Sequence, residues 1–227
     1  MWATWLGLAC HPGGPLTEVA QLRSAASGVV VADPPTLFVD ASGGAGRATA
    51  IGATAYFRAD FGRVVVRHRG AACFVQYEDD EVDVPDEVCS ASRIAIERST
   101  GALAVASPDG VLVVDPSGFE RLTVAGVDVA WTAAGLRIAT LDGAVVDAAG
   151  AEVWSAPWPA RFLGEANRVV IIGGIDTTGA SHLALLGETG EEVVVDELFD
   201  RLTTSGDRLL VWEGGRMRLY EVSLPSR

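Results

Sequence analysis

Three histidines, one dense run of acids and five charged side chains at recurrent positions are the residues here with the means to do chemistry. His11 lies in a Gly/Pro-rich stretch, His68 stands between Arg67 and Arg69, and His182 opens an apolar segment. Acyl transfer needs a nucleophile, a base and an orienting acid that converge, and no Gly-x-Ser-x-Gly elbow presents a serine. His68 is therefore expected as a polar turn residue and His182 as a strand residue near a sheet surface. Glu78, Asp79, Asp80, Glu81, Asp83, Asp86 and Glu87 place seven acids in ten positions. Oxygen ligands at that density suit Ca2+, but the spacing is not that of an EF-hand loop and Pro85 interrupts it. The expectation is a solvated acidic turn able to face a basic partner, with no metal and no cofactor.

The elements that position these residues repeat. An apolar segment recurs six times, at Gly28–Ala32, Arg63–Arg67, Ala102–Ala106, Leu136–Thr140, Arg168–Ile172 and Arg208–Trp212. The centres, Val30, Val65, Ala104, Ile138, Ile171 and Leu210, are 35, 39, 34, 33 and 39 residues apart. A second strand follows each: Thr36–Asp40, Ala72–Tyr77, Val111–Asp115, Ala144–Asp147, His182–Leu186 and Arg216–Glu221. Next comes a turn that reads Asp40-Ala-Ser-Gly43, Asp115-Pro-Ser-Gly118 and Asp147-Ala-Ala-Gly150, with Gly187-Glu-Thr-Gly190 as a variant. An aspartate opening such a turn accepts bonds from backbone N–H groups two residues on, and glycine tolerates the positive φ. Third strands are expected at Arg121–Val124 and Glu152–Trp154, and a further strand such as Val127–Trp131 precedes the next unit. Gly173-Gly174 with Asp176-Thr177-Thr178-Gly179 reads as one long turn.

Four short antiparallel strands per 33–39 residues is the period of a β-propeller blade. The strands are apolar on both faces, as in Val64-Val65-Val66 and Val169-Val170-Ile171-Ile172, which suits sheets covered on both sides. The predicted fold is all-β, a propeller of six four-stranded blades over residues 16–227, with residues 1–15 a signal-like linker. The last unit lacks a fourth strand after Arg216–Val222. Leu16–Leu22 is expected to supply it, closing the last blade and removing an open edge. The competing reading of Leu16–Ala26 is an amphipathic helix, because Leu16, Val19, Ala20 and Arg23 have helical spacing.

In a ring of blades, ligands sit over the central channel. The polar candidates there are Arg58, Arg93, Asp128, Arg161 and Arg201, either a basic funnel for a carboxylate or phosphate or a set of pairs with neighbouring acids. Trp131, Trp154, Trp158 and Trp212 recur near strand ends and are expected to fill gaps between blades.

Composition limits the partners. Thirty acids against 17 bases, all arginine, give a net charge of −13, which disfavours nucleic acid and anionic lipid surfaces. Cys73 and Cys89, 16 residues apart, pair as a disulfide in an oxidising compartment or serve as two small buried thiols.

The turns and period resemble the propeller superfamily of tryptophan–aspartate, YVTN and quinoprotein-type repeats; Asp147-Ala-Ala-Gly150-Ala-Glu-Val-Trp154 is similar to the quinoprotein type with one turn residue missing. No unit carries the paired Gly-His and Trp-Asp signature. Leu6-Gly7-Leu8-Ala9-Cys10 resembles the end of a bacterial lipoprotein signal, although Gly7 occupies the usual leucine position and no basic stretch precedes it. Cys10 is the lipidation candidate. Together these resemblances, with envelope propellers of the TolB and BamB kind as the nearest analogy, imply a non-catalytic, monomeric binding or assembly module at the cell envelope. Its partner would be a protein or a small anionic ligand, with membrane contact only through the lipid. The alternatives are a lactonase-like propeller hydrolase, disfavoured because Asn167 is the only asparagine, and a cytosolic interaction propeller.

Overall fold

Runs of β-branched residues broken by glycine turns favour extended backbone, and the computed structural model is built almost wholly of strands. It describes residues 14–23, 55–91, 93–188, 192–195, 199–205, 208–213 and 216–223. Cys10, His11, the segments Gly28–Ala32 and Thr36–Asp40 and the Asp40 turn lie outside the described residues.

The chain opens with β1 (Leu16–Arg23). Four sheets then follow in chain order, each a meander whose consecutive strands are neighbours. The first holds β2 (Ala55–Ala59), β3 (Gly62–Arg69), β4 (Ala72–Tyr77) and β5 (Asp80–Val84), and a short helix α1 (Asp86–Ser90) leaves it. The second holds β6 (Ile94–Ile96), β7 (Leu103–Val105), β8 (Leu112–Asp115) and β9 (Gly118–Arg121). The third holds β10 (Asp128–Thr132), β11 (Gly135–Ala139), β12 (Val145–Asp147) and β13 (Glu152–Trp154). The fourth holds β14 (Ala160–Ala166), β15 (Val169–Ile175), β16 (Ser181–Leu186) and β17 (Glu192–Val195). The fifth is composite: β18 (Arg201–Ser205), β19 (Arg208–Glu213) and β20 (Arg216–Val222) are completed by β1, paired antiparallel to β20 from Leu16↔Val222 to Arg23↔Arg216.

All five sheets are four-stranded and antiparallel, so the all-β expectation holds, and the N-terminal segment occupies the outer position foreseen for it. The helical alternative for Leu16–Ala26 is overturned where the chain is described. Its helical spacing includes Val19, which the strand expels at an irregularity between Glu18 and Ala20, 41% exposed.

Each sheet packs on the next through its own apolar cluster. Val64, Val66 and Val75 meet Leu103, Val105 and Leu112, whereas Ala104 and Val111, on the opposite face of that second sheet, meet Val129 and Ile138. Ala130 and Ala139 then meet Leu163 and Ile172, and Ile171, Leu183 and Leu185 meet Leu202, Leu209 and Tyr220. Alternate residues of one strand thus serve different neighbours, the physical reason that both faces are apolar. Each fully buried leucine or isoleucine contributes roughly 1.5–3 kcal/mol of transfer free energy. The first strands of consecutive sheets, β6, β10, β14 and β18, lie against one another.

Three local expectations are corrected. The strand expected at Arg121–Val124 is instead β9 (Gly118–Arg121), the last of the second sheet, because Leu122 and Val124 bond to the backbone of Val111. The acidic run is not one turn: it comprises a turn at Glu78 and Asp79, strand β5 and the start of α1, its acids countered by Arg69–Glu81 and Arg121–Glu87 pairs. Gly173 and Gly174 sit inside β15, not in a turn. A Cβ on Gly173 would meet Leu202, and one on Gly174 would overlap the Pro159 carbonyl and the Trp158 ring.

Candidate functional site

The Asp-x-x-Gly turns use the chemistry read from the sequence. Asp147 Oδ1 accepts from Ala149 and Ala151 N–H, and Gly150 takes φ +85°. The β15–β16 turn does the same: Asp176 Oδ1 accepts from Thr178 and Ala180 N–H at 2.8 and 3.0 Å, with Gly179 at φ +87°. Asp176 Oδ2 lies 3.0 Å from His182 Nε2. The Thr178 hydroxyl first, then His182, holds the Asp176 carboxyl well below the usual carboxylate range. A carboxyl lowered on folding contributes stability above its ordinary pKa and loses it as pH falls toward the folded value. In a carboxyl-carbon NMR titration, Asp176 is therefore expected to stay ionised where ordinary aspartates are half protonated, near pH 3.9. Thr178→Ala is expected to move its midpoint back toward that range; an ordinary midpoint in the parent chain would show the turn bonds to be absent.

His182 is placed by this turn against Trp158, ring centroids 5.5 Å apart and nearly parallel at 18°. Trp158 also meets Trp154 at 5.0 Å, and both tryptophans are buried between the third and fourth sheets, with Trp154 Nε1 3.4 Å from Glu192 Oε1. His182 is a strand residue that packs at that junction with its side chain partly exposed. His68 is on a strand instead of in a turn, at the exposed end of β3, 3.6 Å from Asp86.

Of the five channel candidates, the structure joins two. Asp128 opens β10 and is buried, its Oδ1 accepting from Val129 N–H and its Oδ2 from Leu163 N–H of the fourth sheet, both at 2.9 Å. Arg93, one residue before β6, reaches Asp128 at 3.9 Å, donates to the Leu202 carbonyl at 3.3 Å and lies 4.8 Å from the Phe162 ring centroid. Four sheets are stitched here, and these two charges serve one another and the backbone. Arg161 stands apart: it is exposed and donates to the Leu141 carbonyl at 3.3 Å. Arg201 opens β18, whereas Arg58 lies next to the last residue of β2, toward the other end of its strand; their side chains lie outside the described residues.

A cleft of about 400 Å3 lies beside Arg161, lined by residues 142–144 and 155–159. Its walls are pinned by backbone: Ala160 N–H donates to Gly143 O, Gly143 N–H to Thr140 O and Thr140 N–H to Ala144 O. Gly143, at φ +95°, packs against Pro159 so closely that any Cβ would overlap the ring. The Thr140 hydroxyl holds the Asp142 carboxyl below its ordinary range. Leu141, next in sequence to Asp142 of the lining, is 53% exposed. The sequence reading named Arg161 and Trp158 but not the cleft; the only local signal was the Pro157-Trp158-Pro159 linker.

Cys73 on β4 and Cys89 on α1 are joined by a disulfide. Among the described residues no group of three or more His, Cys, Asp or Glu side chains is placed to hold a metal ion, and no helix is long and apolar enough to cross a membrane. Fold and site together define an all-β protein of successively packed four-stranded sheets with a pre-formed cleft at one sheet junction. No protein-family model matches the sequence, and no curated protein matches it significantly.

Proposed function

We propose that the chain is a six-bladed β-propeller acting as a non-catalytic binding or assembly module at the bacterial cell envelope. The ring is supported by the two outermost faces of the described sheets. Val65 and Phe74 on one, and Leu210 and Trp212 on the other, are all buried, and the repeat at Gly28–Ala32 and Thr36–Asp40 falls between β1 and β2 in the chain. A sixth blade there would cover both faces. The disulfide favours an oxidising compartment, as does the Cys10 segment if it is lipidated.

The observation that carries the binding reading is the use of charge at the starts of the inner strands. Arg93 and Asp128 are spent on joining sheets, whereas the cleft beside Arg161 is built from linker and turn residues held by backbone bonds. Rigid scaffolds present binding surfaces through such loops. Purification from the native host is the test. The expected product is an envelope-fraction chain that lacks the residues before Cys10, carries lipid and gains two hydrogens on reduction. An unprocessed cytosolic chain with free thiols would overturn the location. Turnover of lactones or esters by the purified chain would overturn the non-catalytic reading.

A further inference from the structure

We propose that the cleft beside Arg161 is a recognition site for a monocarboxylate carried on a compact apolar body. The inference rests on the binding-module reading and names the ligand chemistry of its open site.

Four observations converge. The volume, about 400 Å3, falls in the range of small-molecule sites, roughly 300–1,000 Å3. The lining is mixed: Ala144, Ala156, Pro157, Pro159 and the edge of the buried Trp158 supply apolar surface beside the polar Asp142, Ser155 and Arg161, and stacking on His182 fixes the indole. Arg161 is exposed at its edge, its guanidinium oriented by the Leu141 carbonyl, with no carboxylate within 4 Å among the described residues. A planar guanidinium with N–H groups to spare matches a carboxylate's two oxygens. Finally, Asp142 lines the same cleft and is itself anionic, which sets a charge limit. It opposes a second negative charge, so a single carboxylate is preferred over phosphate or a dicarboxylate. In an acidic protein an anion is not gathered by long-range attraction; the selectivity is local to Arg161.

The experiment is a titration of the full chain with 3-phenylpropionate, following the Trp158 indole N–H resonance assigned through its proximity to His182. A saturable shift is expected, with at least tenfold weaker binding of 3-phenylpropionamide and no saturation by inorganic phosphate. Arg161→Gln is expected to weaken the carboxylate at least tenfold without changing the unfolding midpoint, whereas Arg63→Gln, an exposed arginine on β3, leaves it unchanged. Equal binding of acid and amide, an unaffected R161Q variant or no saturation would each overturn the proposal. A free acid and the C-terminal residue of a peptide share this chemistry. A tripeptide ending in phenylalanine that binds tighter than phenylpropionate identifies a chain end, and weaker binding identifies a free acid. Consumption of methyl 3-phenylpropionate would instead defeat the non-catalytic reading, leaving the carboxylate site to be judged by the R161Q comparison.

Discussion

Replacing Asp128 with alanine is expected to lower the unfolding free energy by about 3 kcal/mol, among the largest single-site effects available to this chain. The carboxylate is buried and holds the N–H of Leu163 on the neighbouring sheet as well as that of Val129. Alanine leaves the Leu163 donor without that acceptor and strips Arg93 of its counter-charge, two penalties that add to the lost bonds. Arg93→Leu is expected to cost less. Asp128 then keeps both backbone donors, and the leucine retains part of the contact with Phe162. Urea unfolding of the two variants gives the order directly. A D128A midpoint indistinguishable from the parent would show that the third and fourth sheets are not joined through this side chain.

The second large effect concerns the bridge between β4 and α1. Removing both cysteines as C73A/C89A is expected to cost about 3 kcal/mol, the chain-entropy value for a loop of about 15 residues. For a chain of this length that corresponds to a fall in Tm of roughly 6–12 °C. Alanine is the suitable replacement because both positions are buried and a serine hydroxyl would bring its own penalty. Reductant is expected to lower the melting temperature of the parent by a similar amount and to leave the double variant unaffected. If reductant shifts neither, the two thiols are unpaired in solution and the compartment argument loses its support.

The strand pattern was legible because it follows from local chemistry repeated in phase. A valine run such as Val64-Val65-Val66 extends by its own preference, and aspartate at the start of a turn satisfies the backbone wherever it stands, as at Asp115, Asp147 and Asp176. The pairing of β1 with β20 was legible by counting, since one unit lacked a strand and one segment lacked a unit. The site was legible only in its ingredients. Arg93 and Arg161 both stand at the start of a first strand in the sequence, yet Arg93 meets a buried carboxylate on the next sheet and Arg161 an open cleft. That difference is set by which side chains the sheet junction brings opposite each arginine, and no local pattern encodes it. Gly173-Gly174 misled for a related reason: paired glycines usually mark a turn, but here they thin the sheet so that Leu202 and Trp158 can lie against its backbone.

The composite last sheet has a kinetic consequence. Its outer strand and that strand's partner are distant in sequence, with Leu16 paired to Val222. Closing a loop of about 200 residues costs roughly 3 kcal/mol more entropy than closing a hairpin. The first four described sheets can zip from neighbouring strands, but the fifth closes only when two segments distant in sequence meet. Until they meet, the edge of β20 is open, so this late closing step is the interval in which the sheet is most exposed to mispairing.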